Sequence, residues 1–301
     1  MNKLTVGVIG LGGIARKAHL PVLAVHPGVE IIGLASRTGA QVEALASQYR
    51  FNLVARTFEE VLAVKPQGAY LLSATEAHPE QAIALLNAGI AVYMEKPLAN
   101  DLADARSIVA AAAGRTLMVG FNRRFAPAYR RAKELFAGRP PELVQITKHR
   151  NEPHPEWDAR RIVMDDAIHI IDLARFFGGD LKLHASHSRR GLTVAQCEGE
   201  ALVQLSQSYG AGAPTERVEL HGGGLTVIME EMERLTVREN GKERVEQLFG
   251  SWTLTLEKKG MVGATEHFLT CLQSGAQPDT TAAEAYKTQE LAEAILLGGA
   301  G

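Results

Sequence analysis

The start of the chain constrains the fold more than any other stretch. An apolar, β-branched run, Leu4–Ile9, leads into Gly10-Leu11-Gly12-Gly13-Ile14-Ala15, and residues 15–25 then follow a helical pattern. A strand buried on both faces, a glycine-rich turn and a helix are the opening of a βαβ unit. The chain is therefore expected to begin with a parallel α/β arrangement.

The glycines have a physical meaning in this setting. Gly10 would permit the tight turn, Gly12 would let a pyrophosphate approach the backbone, and Ala15 would allow the helix to pack closely on the strand. A glycine-rich turn without a ligand has the same letters, but the strand–turn–helix context favours dinucleotide binding. The predicted pyrophosphate site consists of Gly10, Gly12, Gly13, Ile14 and Ala15.

The end of the second predicted strand, residues 30–35, bears on which dinucleotide binds. An NAD site would carry an acidic residue here for the ribose hydroxyls. The chain instead has Ser36, Arg37 and Thr38, so no carboxylate would repel a 2′-phosphate and an arginine with two hydroxyls could bind one. The alternative is a surface arginine after a strand. The sequence predicts NADP(H) in preference to NAD(H), with NAD(H) still possible.

Strand and helix patterns alternate as far as residue 121. This predicts a doubly wound parallel sheet over residues 1–121. The apolar runs that indicate its remaining strands lie at residues 68–73, 89–93 and 116–121.

The pattern changes near Asn122. Prolines punctuate the next stretch, and the later apolar runs are spaced like hairpins and meanders rather than βα units. No helix follows the glycines at 222–224, so they indicate a hairpin turn rather than a phosphate loop. A second domain is therefore expected over residues 122–301. Its predicted strands are residues 143–148, 181–187, 200–207, 217–221, 225–230 and 235–238, and two helices at 263–273 and 282–297 close the chain.

Glu95-Lys96-Pro97 follows the apolar run at residues 89–93. A residue before proline is pushed toward extended geometry, so Lys96 should continue the strand. That would hold the lysine at the carboxyl edge of the sheet, where open α/β folds bind their ligands. A solvated strand end is the alternative interpretation.

Residues 161–177 are expected to form one helix, ended by Gly178 and Gly179. Asp165, His169 and Asp172 would then share one face. Histidine suits proton transfer near neutrality, and a carboxylate one turn away can orient it.

Two alternatives to that catalytic interpretation stay open. The histidine of this helix could simply be satisfied by a neighbouring carboxylate in a polar contact. A metal site is disfavoured because no third soft ligand stands nearby, although His149 and His154 could approach His169. No metal is predicted.

Composition excludes several classes of function. The net charge is -2 with both signs spread along the chain, which gives no case for nucleic acid or an anionic membrane. Two cysteines far apart suggest neither a disulfide framework nor a zinc site. No apolar run is long enough to span a bilayer and no signal-peptide pattern opens the chain, so a cytoplasmic compartment is expected.

Together these motifs resemble the Gfo/Idh/MocA oxidoreductase family, and within it the MviM-like oxidoreductases. The resemblance covers essentially the whole chain. It is carried by the Gly10-x-Gly12-x-x-Ala15 loop, Glu95-Lys96-Pro97, Gly120-Phe121-Asn122-Arg123-Arg124-Phe125-Ala126-Pro127, and Asp165-x-x-x-His169 with its doubled Asp165-Asp166.

The resemblance implies an N-terminal Rossmann domain, residues 1–121, and a C-terminal α/β domain, residues 122–301, with an open, mostly antiparallel sheet. That sheet commonly mediates homodimers or homotetramers. The implied chemistry is hydride transfer between nicotinamide and a carbinol or ketone carbon of a sugar, cyclitol or polyol.

The resemblance also assigns roles to residues. Lys96 would contact and polarise the substrate oxygen, His169 would transfer the proton, and Asp165 would orient substrate or imidazole. The groove that holds the cofactor would be lined by Ser73, Thr75, His78, Glu95, Lys96 and Asn122.

One departure from the family pattern concerns the approach to the Asp-x-x-x-His helix. Many members are glycine-rich there, whereas this chain has Arg161-Ile162-Val163-Met164, which could shrink the substrate pocket. Four arginines, Arg123, Arg124, Arg160 and Arg161, could also make the cleft cationic, which would suit an acidic or phosphorylated substrate. Solvated arginines are the alternative.

Two other functions remain open at this point. One is a cofactor-binding sensor without turnover. The other is redox-neutral use of a tightly held cofactor, as in NAD-dependent glycosidases.

Overall fold

The computed structural model describes residues 3–152 and 157–298. The chain divides into two compact units, residues 1–121 with 261–286, and residues 122–260 with 287–301. Within the described ranges, none of the helices combines the length and apolar character needed to cross a membrane.

The first unit contains a five-stranded parallel sheet in the order β2-β1-β3-β4-β5. Its strands are almost entirely buried, which explains their continuous apolar sequences. The strands are β1 Leu4–Ile9, β2 Val29–Ala35, β3 Gly68–Leu71, β4 Ala91–Met94 and β5 Leu117–Val119. The helices are α1 Leu20–Val25, α2 Val42–Tyr49, α3 Phe58–Val64, α4 His78–Asn87 and α5 Leu102–Ala112, with a π-helical turn at Ala15–His19.

The second unit contains an eight-stranded sheet in the order β13-β12-β11-β10-β6-β9-β8-β7, antiparallel except for the pair β6–β9. The strands are β6 Leu143–Asn151, β7 Lys182–Arg189, β8 Leu192–Glu198, β9 Leu202–Ser208, β10 Gly210–Gly222, β11 Leu225–Glu230, β12 Arg234–Glu239 and β13 Lys242–Glu246. Its helices are α6 Pro127–Leu135, α7 Ala159–Ile162, α8 Ile168–Gly178 and α9 Thr255–Lys258, with a π-helical turn at Val163–Ala167.

The last two helices are α10 Met261–Ser274 and α11 Ala282–Leu297. The predicted second domain, 122–301, includes α10, yet this helix packs with the first unit. Phe268 is fully buried against Tyr70 and Tyr93, with ring centroids 5.5 and 5.7 Å away. Thr280 also donates from Oγ1 to the carbonyl of Val119 (2.7 Å).

The predicted fold class is confirmed: a doubly wound parallel sheet is followed by a mostly antiparallel one. The glycines at 222–224 form the predicted hairpin turn, since Gly222 pairs with Leu225 across β10 and β11. Strands β8 and β13 were not predicted. β13 is exposed and charged, so it lacks the apolar alternation that marks a strand.

Candidate active site

The glycine-rich loop lies at the carboxyl end of β1, where the strand order reverses. The chain leaves β1 for β2 on one side and returns to β3 on the other, which is where open α/β sheets bind ligands. Gly10 has φ +89°, and a Cβ there would lie only 2.3 Å from the backbone nitrogen of Ser73. Only glycine fits this position.

Space is open above the next two glycines. A Cβ added to Gly12 or Gly13 would meet no described atom within 4 Å. The backbone becomes helical at Gly13 and continues through the buried Ala15, while Ile14 is exposed. A closed turn, an open backbone approach and a helix start fit a dinucleotide pyrophosphate.

Ser36, Arg37 and Thr38 directly follow β2 at the same edge of the sheet. Arg37 and Thr38 are exposed. The Ser36 hydroxyl is buried and has no hydrogen-bond partner among the described residues. An unsatisfied hydroxyl beside an exposed arginine suits a ligand that brings its own polar groups.

The residues after β3 form the neighbouring part of this edge. Ser73 donates from Oγ to Oε1 of Gln81 (2.7 Å), and Thr75 begins a 3-10 turn. His78 is buried, with Nδ1 3.0 Å from the Pro97 carbonyl and Nε2 3.2 Å from the Ser73 carbonyl. Burial lowers the pKa of His78 although both carbonyls oppose this. His78 therefore ties the loop after β3 to the loop after β4 rather than offering a free ring nitrogen.

Lys96 lies just beyond β4, which ends at Met94, so the strand stops earlier than predicted. The lysine is half-buried and its peptide bond to Pro97 is cis. The backbone N–H of Glu95 donates to the Leu71 carbonyl (2.9 Å), which anchors the segment to β3. The lysine is thus at the carboxyl edge of the sheet, as predicted.

The carboxylate of Glu95 is held by a residue that the sequence did not reveal. His19, buried in the first π-helical turn, donates from Nε2 to Oε1 of Glu95 (2.9 Å). Burial raises the pKa of Glu95, but His19 and Lys96 outweigh it and leave the pKa below its ordinary value. Only the fold brings His19 to Glu95, because the two are 76 positions apart.

The second unit carries Asp165 and His169. The predicted single helix is interrupted: α7 ends at Ile162, the π-helical turn contains Asp165, and α8 contains His169. Both side chains are half-buried. Arg161 donates from Nε to Oδ2 of Asp165 (3.3 Å), and its guanidinium lies 4.8 Å from the ring of Trp157.

Asp172, the third residue of the predicted face, has its carboxylate engaged by Arg124 and Thr288 of the second unit. It is buried and accepts two hydrogen bonds from Arg124, from Nε (2.8 Å) and Nη2 (2.6 Å). Thr288 donates to the same carboxylate (3.1 Å). Its charge is therefore used inside the second unit.

Arg123 was expected to bind substrate in a cationic cleft. The structure instead buries this arginine in a bidentate pair with Glu216, at 2.8 and 2.7 Å. Tyr129 donates to the same carboxylate (2.9 Å). The Nε and Nη2 donors of Arg123 therefore bind Glu216, where a substrate contact was predicted. Arg160 is likewise paired, with Glu293 (2.8 Å from Nη1).

Asn122 begins the 3-10 turn Asn122–Phe125 and donates from Nδ2 to the carbonyl of Lys259 (2.7 Å). Gly260, with φ +77°, lies against this turn, since a Cβ there would be 2.2 Å from the Asn122 carbonyl oxygen. The contact fixes Asn122 within the second unit.

No cluster of three metal-ligating side chains occurs among residues 3–152 and 157–298. Nδ1 of His149 accepts a hydrogen bond from the backbone N–H of Ser208 (3.1 Å). His154 lies outside the described residues.

The structure therefore groups the predicted site residues in two sets. Lys96 shares the first unit with the glycine loop and its neighbours, whereas Asn122, Arg123, Asp165 and His169 belong to the second.

Comparisons with known proteins agree with this architecture. Residues 4–123 match the model of an oxidoreductase family with an NAD-binding Rossmann fold, Gfo/Idh/MocA. The protein named "Putative oxidoreductase YceM" of Salmonella typhimurium is 34% identical over 306 residues, which cover 98% of each chain. D-apiose dehydrogenase of Paraburkholderia graminis is 27% identical over 96% of this chain and 86% of that protein.

A solved structure shows the same fold over the full length. The crystal structure of an MviM dehydrogenase from Clostridium difficile has a TM-score of 0.89 and 28% identity, covering 98% of this chain and 99% of that one. The chain belongs to the Gfo/Idh/MocA family and is an NAD(P)-dependent oxidoreductase.

Proposed function

We propose that the protein is an NADP(H)-dependent oxidoreductase that interconverts a carbinol and a ketone on a sugar-, cyclitol- or polyol-like molecule. The observation that carries the proposal is that one sheet edge holds both the glycine loop, after β1, and Lys96, after β4. The similarity to D-apiose dehydrogenase supports a sugar-like substrate.

The cofactor would be held by residues whose structure fits it. Gly10, Gly12, Gly13, Ile14 and Ala15 would bind the pyrophosphate, and Ser36, Arg37 and Thr38 the 2′-phosphate. Ser73, Thr75, Glu95 and Asn122 would line the groove, with His78 supporting the Ser73 backbone. When bound, the nicotinamide supplies the acceptor or donor of the hydride.

Lys96 would bind the substrate oxygen. Its ammonium group would polarise a carbonyl and stabilise the alkoxide-like charge that develops as hydride moves. Glu95, whose carboxylate accepts a hydrogen bond from His19, stands directly before this lysine in the chain.

His169 would act as the general acid or base. It would take the hydroxyl proton of a carbinol substrate in the oxidative direction and would return that proton to the substrate oxygen in the reductive direction. Asp165 would orient the substrate or the imidazole.

The test is a fluorescence titration of the wild type, Arg37→Ala and the control Arg115→Ala with NADPH and, separately, NADH. Arg115 is an exposed arginine of the same unit. A charge-assisted contact predicts that Arg37→Ala weakens NADPH binding about 10- to 100-fold and leaves NADH binding unchanged. Equal affinity of the wild type for both would contradict the NADP(H) preference.

Substrates are then sought among aldoses, ketoses, cyclitols and their keto forms, including D-apiose and myo-inositol. Turnover with any of them supports the proposal. Tight cofactor binding with no turnover across the panel would favour a sensor.

We also propose that the protein forms a homodimer or homotetramer through the second sheet. Helices α6 and α8 pack on one face of that sheet. The other face presents polar side chains such as Gln145, Gln204, Thr147 and Ser206, beside the charged Glu219 and Arg217. A polar sheet face of this kind can be buried against a second copy.

A further inference from the structure

The covered face of the second sheet contains a row of buried polar side chains. Three adjacent strands, β10, β6 and β9, are in register, and two of their rows are apolar: Leu220, Val144 and Val203, then Val218, Ile146 and Leu205. The next row on the same face is Glu216, Lys148 and Gln207. These three side chains, the polar row, are as buried as the apolar rows beside them.

Asp166 packs on the polar row, and its carboxylate accepts hydrogen bonds from four side chains. Its carboxylate accepts from Lys148 Nζ, from Arg150 Nη2 (3.1 Å) and Nε (3.2 Å), from Gln207 Nε2 (2.6 Å) and from Tyr209 OH (2.8 Å). Lys148 also donates to the main-chain carbonyl of Asp166 (3.2 Å). Both the side chain and the backbone of this residue are thus fixed to the sheet.

Stability alone does not account for such a cluster. Burial raises the pKa of Asp166, but Lys148 and Arg150 outweigh it and keep the pKa well below its usual range, so the group is a buried carboxylate. Buried ion pairs can often be replaced by apolar side chains of similar size with no loss of stability. Holding the sheet and helix together is therefore not enough to explain why these positions are polar.

The position of Asp166 suggests a role in the proposed active site. It lies in the π-helical turn Val163–Ala167, directly after Asp165 and three residues before His169. The other end of the polar row, Glu216, holds Arg123, the neighbour of Asn122. One row of the sheet thus anchors both segments of the second unit that carry proposed site residues.

We infer that Asp166 is a positioning residue, which pins the π-helical turn to the polar row and thereby sets the place of Asp165 and His169. The inference rests on the proposed proton-transfer role of His169. An unanchored turn would let the imidazole and carboxylate shift, and a shift of about 1 Å in a reacting group can cost about 100-fold in rate.

The test compares three variants. Asp166→Asn keeps the size of the side chain but turns an amide N–H₂ toward the donors. Lys148→Met/Asp166→Leu replaces the central pair by apolar side chains. Arg131→Met/Glu246→Leu is the control, because it removes an ion pair of the same unit (2.8 Å) that joins α6 to β13, away from the π-helical turn.

Two measurements separate positioning from stability. Histidine ring ¹⁵N spectra, with the His169 signals assigned from His169→Gln, report the ring without any substrate. Steady-state kinetics with the best substrate of the panel, using NADPH deuterated at the transferred position, give kcat, KM and the isotope effect.

The inference predicts that Asp166→Asn and the double variant shift the His169 signals and lower kcat about 10- to 100-fold, with KM changed less. NADPH affinity and the control variant should match the wild type. Unchanged His169 signals with an unchanged kcat would overturn it. A loss of kcat that only follows the folded fraction, measured by circular dichroism, would overturn it as well.

The variant His169→Gln distinguishes failure of the proposed function from failure of the positioning role. If His169→Gln keeps full turnover, the assigned role of His169 is wrong, whereas the ¹⁵N spectra still decide whether Asp166 fixes its ring. If His169→Gln is inactive and Asp166→Asn is fully active with unmoved signals, only the positioning role is wrong.

Discussion

Gly10 is the residue whose backbone and surroundings leave least freedom. Gly10→Ala would place a Cβ 2.3 Å from the Ser73 backbone nitrogen, at φ +89°. We expect a lower Tm and loss of NADPH binding, because the loop must open to admit the methyl group. Gly275→Ala is the matched control, since Gly275 has φ +72° in the same unit but open space around it. In the control, the left-handed backbone of the new alanine should lower the free energy of unfolding by about 1–3 kcal/mol. Its NADPH affinity should stay unchanged. Thermal melts and titration measure the two effects.

Glu216 makes stability depend on pH at the acid end. Burial raises its pKa, but Arg123 and Tyr129 outweigh this and lower it from 4.5 to about 2. A carboxyl whose folded pKa is depressed stabilises the fold above its unfolded pKa and loses that contribution as the pH falls through its folded pKa. The free energy of unfolding should therefore drop by about 3 kcal/mol between pH 4.5 and pH 2 on account of this group.

Denaturant unfolding across that pH range checks the expectation. Glu216→Gln should be less stable at neutral pH and show a shallower pH dependence, while the exposed control Glu76→Gln should follow the wild type. A Glu216→Gln curve parallel to the wild type would contradict the account.

At the scale of elements, α10 supports the sheet edge that carries Lys96. Phe268 fills the space against Tyr70 and Tyr93, and Tyr93 belongs to β4. Phe268→Ala should lower the free energy of unfolding by about 3–5 kcal/mol and weaken NADPH binding. Phe176→Ala, at a half-buried position in the second unit, is the control and should leave NADPH binding intact. Unaltered melting of Phe268→Ala would show that α10 does not belong to the first unit.

Elements marked by local chemistry were predictable from the sequence. Thr57 and Thr281 each stand three residues before a glutamate, the sequence pattern of a capping box, and each starts a helix. The Thr57 hydroxyl accepts from the Glu60 N–H (3.1 Å), and the Thr281 hydroxyl from the Glu284 N–H (3.3 Å). Gly179 ends α8 with φ +78°. The π-helical turn at 163–167 was not predictable, because the apolar pattern of residues 161–177 fits a regular helix. The contacts of Asp166 with the sheet involve residues that are distant in the sequence.

Contacts between distant strands were also beyond the sequence. The polar row depends on the register of β10, β6 and β9, and a shift of one residue would turn every one of its side chains to the other face. The pairings of Arg123 with Glu216 and of His19 with Glu95 also join residues far apart in the sequence, 93 and 76 positions respectively. The sequence patterns pointed to Arg123 and Glu95 but not to their partners Glu216 and His19.

At the scale of the whole molecule, the alternation of strands and helices predicted the parallel sheet, and hairpin spacing predicted the antiparallel one. The grouping of residues 261–286 with the first unit required tertiary packing, which no local pattern reports. The functional division into a cofactor domain and a substrate domain stays a prediction.

Assembly is the further prediction at this scale. If the polar face of the second sheet is buried between copies, Gln204→Arg should shift a dimer or tetramer toward monomer, because two charges would meet across a symmetric contact. Size-exclusion chromatography with light scattering measures this, with the exposed first-unit variant Gln41→Arg as control. A wild type that is monomeric at every concentration would contradict the proposed assembly.

In the proposed mechanism, Lys96 and His169 support proton transfer coupled to hydride transfer. This mechanism is tested most directly by single-turnover reduction of the best keto substrate by enzyme saturated with NADPH, followed through the absorbance of the reduced nicotinamide. Lys96→Met and His169→Gln should each slow this step about 100-fold or more. The surface controls Lys182→Met and His184→Gln should match the wild type. Near-wild-type rates in both active-site variants, with NADPH still bound, would contradict the proposed chemistry.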